Sequence, residues 1–341
     1  METIGRVASS QKLTLMAIAL CALLLSSCSE DNDSVQEEKV VDITLAAEMS
    51  LLPATVWVAE KKGFFKKHNV NLTTREFDSG RNALETMLKD STINIATVAQ
   101  TPIVFNSFNN EPYVIVATMA YSLDDIKVLA RKDRNINGPL DLRGKKIGAT
   151  ARSTGHYFLR SFLTHYDLRL SDIEMVDVNA SELGDALISG ALDAITSWEP
   201  HIHNAEAIMG AENLSLLISP TPFRKDFYFT TDRKYATENR AAVQQFLAAV
   251  SEAENYIRLN PQEAQGIVTE RLGADAELIA LVWDSFTFEI TLDQSILVHL
   301  EDEALWAMGL AEEQKEIPNY LDFIDIRPLL AVDPFAVNLI H

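Results

Sequence analysis

Cysteine is almost absent from this sequence. The chain has 341 residues and only two cysteines, Cys21 and Cys28, both near its N-terminus. From residue 29 onward there is no thiol, so that part of the chain has neither a disulfide nor a CxxC redox pair. Thiol catalysis and a cysteine-ligated metal are excluded there for the same reason.

Positive charge is scarce as well. Lys and Arg number 29 against 49 Asp and Glu, which gives a formal net charge of −20. Nucleic acid and anionic lipid are both bound through clustered basic residues, so we expect neither partner. After residue 28 no segment has the run of about 20 apolar residues that a membrane-spanning helix needs.

The N-terminus has the layout of an export signal. Arg6 and Lys12 provide the positive flank, and an apolar core follows over residues 13–25. The segment ends in Leu25-Ser26-Ser27-Cys28, which resembles the bacterial lipobox, in which the cysteine receives diacylglycerol. The alternative is an ordinary signal peptide that is cut near Ser27.

We therefore interpret residues 1–27 as a lipoprotein signal peptide and Cys28 as the lipidation site. Residues 28–40 are polar and lack aromatic side chains, which is typical of a flexible tether. The expected location is extracytoplasmic, at a bacterial membrane that the lipid on Cys28 holds; in a cell with two membranes this is the periplasmic side.

Strands and helices alternate after residue 40, and the same order occurs twice. Strands are predicted in the first round at 41–46, 71–77 and 93–99, and in the second at 145–150, 175–178 and 192–197. The third units match best, LKDSTINIATVAQTP at 88–102 and ALISGALDAITSWEP at 186–200. We predict an α/β protein of two lobes, each with a mainly parallel sheet flanked by helices. Linkers at 114–129 and 219–231 would form a hinge.

Ligands of open α/β sheets bind beyond the carboxyl ends of the strands. Three such loops place hydroxyl and free N–H groups at a helix start, which suits a sulfonate, nitrate, phosphate or carboxylate. The alternative is that these hydroxyls only cap helices. The candidate ligand-binding residues from the loops and the hinge are Ser50, Ser79, Gly80, Gln100, Thr101, Tyr121, Ser153, Thr154, Gly155, His156, Asn179, Trp198 and Glu199.

Trp198 and Glu199 follow the last strand of the second round. The indole would stack on a ring or cover an aliphatic chain, or else belong to the core. Glu199 would accept a ligand amine or complement a helix N-terminus. The sequence around Ser153 and His156 has no GxSxG nucleophile elbow and no evident third partner of a catalytic triad. We therefore predict no enzyme activity. The sequence also predicts no metal site and no cofactor.

Four stretches resemble the substrate-binding proteins of bacterial ABC importers of the nitrate, sulfonate and taurine type, a family that includes binders of pyrimidine precursors. They are residues 57–65 (WVAEKKGFF), residues 77–80 (FDSG), residues 141–148 (DLRGKKIG), and residues 186–194 together with Trp198-Glu199-Pro200. The resemblance spans most of residues 41–230.

The resemblance implies a type-II periplasmic binding protein fold, with lobe one at 41–122 and 225–341 and lobe two at 123–224. It implies a monomer that binds a small molecule between the lobes and delivers it to an ABC permease and its ATPase. Two ligand classes stay open, a sulfonate-like anion or zwitterion and an aromatic, pyrimidine-type molecule. The alternative function is a ligand-sensing or scaffold lipoprotein of the same fold.

Replacing Cys28 with Ser should move the mature protein from the membrane fraction to the soluble fraction, because the sulfur that carries the lipid is lost. Cell fractionation and labelling with radioactive palmitate measure this. Cys21→Ser is the matched control and should leave anchoring intact, since Cys21 lies inside the signal. Equal membrane association of both variants would contradict the lipobox interpretation.

Overall fold

The computed structural model of the protein describes residues 39–310 and 316–340. The predicted signal peptide, the lipidation site Cys28 and nearly all of the tether lie outside the described residues. Within the described residues, no helix combines the length and the apolar character needed to span a bilayer.

A six-stranded sheet contains both the first strands of the chain and strands that follow the second round. Its order is β11-β4-β10-β3-β1-β2, where β1 pairs in parallel with β2 and β3, and β10 lies antiparallel between β3 and β4. The strands are β1 (Val41–Glu48), β2 (Val70–Phe77), β3 (Ile95–Ala99), β4 (Tyr113–Ser122), β10 (Lys225–Asp232) and β11 (Phe286–Thr287).

A five-stranded sheet is formed by the middle of the chain. Its order is β7-β6-β8-β5-β9, with β6 parallel to β7 and β8, and β5 antiparallel between β8 and β9. The strands are β5 (Ile126–Arg131), β6 (Lys146–Ala149), β7 (Glu174–Asp177), β8 (Ala194–Trp198) and β9 (Leu214–Leu217).

The repeated strand order is present in both sheets, but the sheets are mixed and not mainly parallel. The predicted linkers at 114–129 and 219–231 are for the most part strands themselves, since they contain most of β4, the start of β5 and most of β10. β10 and β5 each join a parallel group of three strands and run antiparallel to it, and β4 pairs with the other side of β10. Their backbone groups are thereby paired inside the sheets, which a buried linker requires.

Helices flank both sheets. They are α1 (Ala54–Lys62), α2 (Phe64–Lys67), α3 (Gly80–Met87), α4 (Gln100–Ser107), α5 (Thr154–His165), α6 (Ala180–Ile188), α7 (His201–Met209), α8 (Arg233–Glu238), α9 (Arg240–Leu259), α10 (Pro261–Leu272), α11 (Ala276–Trp283), α12 (Ser295–Met308) and α13 (Arg327–Val332). Gly63 ends α1 with φ of 75°, a left-handed conformation that glycine adopts without steric cost.

The largest core cluster joins the six-stranded sheet to the C-terminal helices. Phe246 of α9 is fully buried there, with its ring 5.5 Å from that of Phe65 and 5.0 Å from that of Phe229 on β10. This packing holds the C-terminal helices against the six-stranded sheet. Two smaller clusters pack the faces of the five-stranded sheet.

The chain passes between the sheets after β4 and again before β10, and a buried ion pair joins these two crossings. Lys225 Nζ, at the start of β10, lies 2.6 Å from Asp125 Oδ2 in the first crossing, and both side chains are almost fully buried. The ammonium also lies 4.6 Å from the ring centre of Phe227. The two crossings are thus held together beside the ends of β8 and β10.

A second polar contact between the two halves is centred on Thr101 of α4. Its hydroxyl is hydrogen-bonded to Glu303 Oε1 of α12 and lies 2.9 Å from Thr154 Oγ1 of α5. Burial raises the pKa of Glu303 to about 8, against the weaker opposing effect of the Thr101 hydrogen bond.

Asp125→Asn should lower the free energy of unfolding by about 3–5 kcal/mol, because the Lys225 ammonium stays buried without its charged partner. Urea denaturation followed by circular dichroism measures the change. Asp124→Asn is the matched control, since its side chain is exposed in the same crossing. Similar midpoints for the two variants would contradict a structural role for the ion pair.

Glu303→Gln should stabilise the protein increasingly as the pH rises from 4.5 to 8. The pKa of Glu303 is above its ordinary value in the folded state, so its contribution to stability is complete below pH 4.5 and is lost as the pH rises through about 8. Each pKa unit corresponds to about 1.4 kcal/mol. Urea denaturation across this pH range measures the difference between variant and natural protein.

Glu301→Gln is the control for this prediction, because Glu301 is exposed on the same helix. It should show no comparable growth of the difference with pH. A Glu303→Gln effect that does not depend on pH would show that the carboxyl group titrates normally in the folded state.

Candidate ligand-binding site

Loops that follow the parallel strands of both sheets meet around a small cavity of about 40 Å³. This volume accommodates a few water-sized groups. Helices α3, α5 and α6 begin at its wall, which brings the positive ends of their dipoles close to it. Six of the predicted residues line it, Ser79, Gly80, Ser153, Thr154, Asn179 and Trp198.

Glu48 is a charged residue that lines this cavity. It ends β1 opposite Phe77, the last residue of β2, so the register carries its side chain to the start of α3. Glu48 Oε2 accepts a 2.9 Å hydrogen bond from the backbone N–H of Gly80. Position 80 needs glycine, because a Cβ there would lie 2.9 Å from Val98 Cα and 3.2 Å from Glu48 Oε2.

The environment of Glu48 keeps part of it protonated near neutrality. The side chain is only 7% exposed. Burial raises its pKa to about 7, while the positive charge of Lys225 and the Gly80 N–H act in the opposite direction. A buried carboxyl that faces a cavity and titrates near pH 7 is typical of a functional site.

Ser79 and Ser153 precede helices in the same way, but only one of them caps its helix. Ser79 Oγ accepts from the N–H of Asn82 at 3.3 Å. Ser153 makes no side-chain cap on α5, and its buried Oγ has no hydrogen-bond partner among the described residues. The capping alternative therefore accounts for Ser79 and leaves the hydroxyl of Ser153 unused.

Trp198 lines the small cavity and also a larger one of about 290 Å³. Its side chain is buried, and Lys225 Nζ lies 4.9 Å from the ring centre. Gly155 of α5 lies against it, since a Cβ there would be 3.6 Å from Trp198 Cζ3. The indole therefore forms a shared wall of both cavities.

The larger cavity is mainly apolar. Its wall includes the loop after β1, the Trp198–Pro200 segment and side chains of α11 such as Leu278 and Ile279. Ser50 and Glu199 are the other predicted residues that line it. Ser50 Oγ accepts from the N–H of Leu52 at 3.3 Å, so its oxygen is already in use.

Glu199 is held by its neighbours at the edge of the larger cavity. It accepts from the N–H of His203 at 3.0 Å and lies 3.4 Å from Lys127 Nζ. Burial raises its pKa, and the His203 N–H and Lys127 oppose that change. Its position is compatible with both predicted roles. One carboxylate oxygen accepts from an N–H at the start of α7, and the side chain lines the cavity, where it would accept from a ligand amine.

Five predicted residues line neither of these cavities, and one of them is Gly155, which lies against Trp198. Gln100 is buried and accepts from the N–H of Asp226 at 2.9 Å, and Thr101 forms the contact with Thr154. Tyr121 lies under Arg224, with the guanidinium 4.0 Å from its ring centre. His156 packs its ring edge-on against Trp306 at 5.2 Å, and its Nδ1 accepts from the N–H of Arg152.

The sequence interpretation missed Glu48 and Lys225 as members of the site. Glu48, a charged residue that ends β1 directly after the apolar run Leu45-Ala46-Ala47, was an available signal, because ligands lie beyond strand ends. Arg81 also lines the small cavity and reaches across it, donating to Ala151 O at 3.2 Å. Glu48, Lys225 and Arg81 are charged, whereas the Ser and Thr residues predicted from the sequence are neutral.

The chain is similar in sequence and in structure to known binding proteins. The taurine-binding periplasmic protein of Escherichia coli K12 is 25% identical over 66% of this chain and 69% of its own length. The alkanesulfonate-binding protein SsuA from Xanthomonas axonopodis pv. citri, solved bound to MOPS, superimposes with a TM-score of 0.70 at 16% identity, over 84% of this chain and 99% of that one.

The Candida albicans CA3427 product, described as having the generic periplasmic binding protein fold, superimposes with a TM-score of 0.66 at 17% identity, over 88% of this chain and 98% of its own. The predicted periplasmic binding protein fold is thus confirmed. The sequence model of NMT1/THI5-like proteins matches residues 53–264, which is more than half of the chain. The protein therefore belongs to the NMT1/THI5-like family.

Proposed function

We propose that this protein is an extracytoplasmic solute-binding protein that captures a small organic molecule between its two sheets and delivers it to an ABC permease and its ATPase. The observation that carries the proposal is the pair of adjoining cavities, with Trp198 as their common wall. Loops from both sheets line them, at the strand ends where α/β proteins bind ligands. Relatives named as binding proteins for taurine and alkanesulfonate support the same role.

The two sheets and their helices would act as lobes, residues 41–122 with 225–341 and residues 123–224. The chain crosses between the sheets near Asp125 and before Lys225, which makes these segments the natural hinge. Opening would break the Thr101–Thr154 and Arg81–Ala151 hydrogen bonds and widen the small cavity. A ligand that contacts both lobes would add to those hydrogen bonds and favour the closed arrangement.

Binding without chemical change is the role that the residues favour. His156 is the histidine nearest in sequence to the Ser153 hydroxyl, yet its ring packs on Trp306 and its Nδ1 is occupied by a backbone N–H. Burial lowers the pKa of His156. A monomer anchored through Cys28 would keep the binding site within reach of the permease at high effective concentration.

A thermal-shift screen of sulfonates, nitrate, amino acids and pyrimidines tests the proposal. At 100 times its Kd, a true ligand should add about 2.7 kcal/mol to the free energy of unfolding and raise the Tm accordingly. Trp198→Phe should weaken that ligand about tenfold, because it removes wall area from both cavities.

Trp306→Phe is the matched control, since Trp306 packs on Phe105 and His156 and lines neither cavity. It should leave the ligand-induced shift unchanged. A protein whose Tm responds to no compound in the screen, with a neighbouring receptor-kinase gene in place of a permease, would favour the sensor or scaffold alternative.

A further inference from the structure

We propose that the ligand presents a hydrogen-bond donor, either an ammonium or a ring N–H, to the Glu48 carboxylate, and beside it an acceptor to the Ser153 hydroxyl. The proposal deepens the proposed function and rests on it. It defines the ligand head group as a donor–acceptor pair, as in an amino acid, an aminosulfonate or the edge of an aminopyrimidine. A plain oxyanion does not meet this description.

The start of α3 is already occupied by an anion of the protein's own chain. Glu48 Oε2 takes the Gly80 N–H at 2.9 Å, so this N–H is not free for a ligand oxygen. An oxyanion placed beside it would face the carboxylate at short range in a buried site, where like charges repel strongly. A donor placed there is attracted by the same carboxylate.

Glu48 also has acceptor capacity left. A carboxylate accepts about four hydrogen bonds. Among the described residues, the hydrogen bond found at its carboxylate is the one from Gly80, and the side chain lines the cavity. The remaining positions are available to an N–H donor that enters the cavity.

The part of the cavity wall at the start of α5 favours a hydrogen-bond acceptor on the ligand. Ser153 is 7% exposed, lines the cavity, and its Oγ is buried with no partner among the described residues. A buried hydroxyl without a hydrogen-bond partner destabilises the folded protein. It precedes α5, whose first N–H groups and positive dipole end also favour a ligand oxygen. A ligand acceptor at this point would satisfy the hydroxyl.

The other charged groups around Glu48 largely compensate one another. Lys225 on β10 is paired with Asp125 at 2.6 Å. Asp78 precedes α3, and Arg81 on α3 lies 3.8 Å from Glu85 while it donates to Ala151 O. Asp78 lines the cavity as well and, among the described residues, accepts only from the neutral side chains of Ser79 and Asn82, so the Glu48 and Asp78 carboxylates are the charges that a ligand donor would neutralise.

Isothermal titration calorimetry of the mature protein tests the proposal with three probes of equal carbon length, taurine, ethanesulfonate and ethylamine, together with 4-aminopyrimidine. We expect taurine or 4-aminopyrimidine to bind at least tenfold more tightly than ethanesulfonate and ethylamine. Whichever of the two binds identifies the source of the donor, an ammonium or a ring system. For taurine, affinity should rise between pH 6 and pH 8, because the carboxylate form of Glu48 is the binding form.

Two variants with matched controls identify the groups. Glu48→Gln should remove most of the preference for the amino-bearing probe, whereas Glu254→Gln should not, although Glu254 also accepts a backbone N–H, that of Ile290 at 3.0 Å. Ser153→Ala should raise the Tm of the free protein and weaken the ligand about fivefold. Ser197→Ala should raise the Tm only, because its buried hydroxyl also lacks a described partner but does not line the cavity.

Several outcomes would overturn the inference and leave the proposed function standing. One is binding of ethanesulfonate as tight as that of taurine, with affinity that falls as the pH rises, which would mean that protonated Glu48 donates to a plain anion. Another is a ligand from the wider screen whose affinity is the same in Glu48→Gln and Glu254→Gln. Failure of every compound to bind would overturn the proposed function itself.

Discussion

The buried ion pair between Lys225 and Asp125 is the interaction on which the arrangement of the site depends. It joins the two points where the chain passes between the sheets, so it fixes how their strand ends face each other. The same ammonium lies 4.9 Å from the Trp198 ring and lowers the pKa of Glu48 against the effect of burial. One contact thereby determines both the geometry of the junction and the charge state of the cavity wall.

Each sheet also contains a strand that enters it directly after the chain leaves the other sheet. The antiparallel neighbour of β3 is β10, which returns from the second half, and the antiparallel neighbour of β8 is β5, which arrives from the first. Each crossing segment is thus firmly hydrogen-bonded in the sheet it enters. In the hinge motion that we propose, the few residues between these strands would move, and each sheet would keep its part of the site.

The sequence predicted the repeated order of strands and helices and most helix starts, because turn residues and hydrophobic periodicity are local signals. It misread β4, β5 and β10, since an apolar run gives no indication of which sheet will pair with it. In the candidate site, the sequence indicated which loops take part but not which hydrogen bonds each side chain makes. Ser79 caps a helix and Ser153 does not, and the reach of Glu48 to Gly80 depends on strand register. Those distinctions arise only when distant segments pack together.

The unused hydroxyl of Ser153 has an evolutionary consequence. A free protein that buries it is less stable than one with alanine at this position, so mutation alone would tend to replace it. Only selection for the bound state favours the serine. Within this family, the residue at this position would therefore indicate which members still bind a ligand. A lineage that no longer binds one would be expected to lose the hydroxyl early and to keep the rest of the fold.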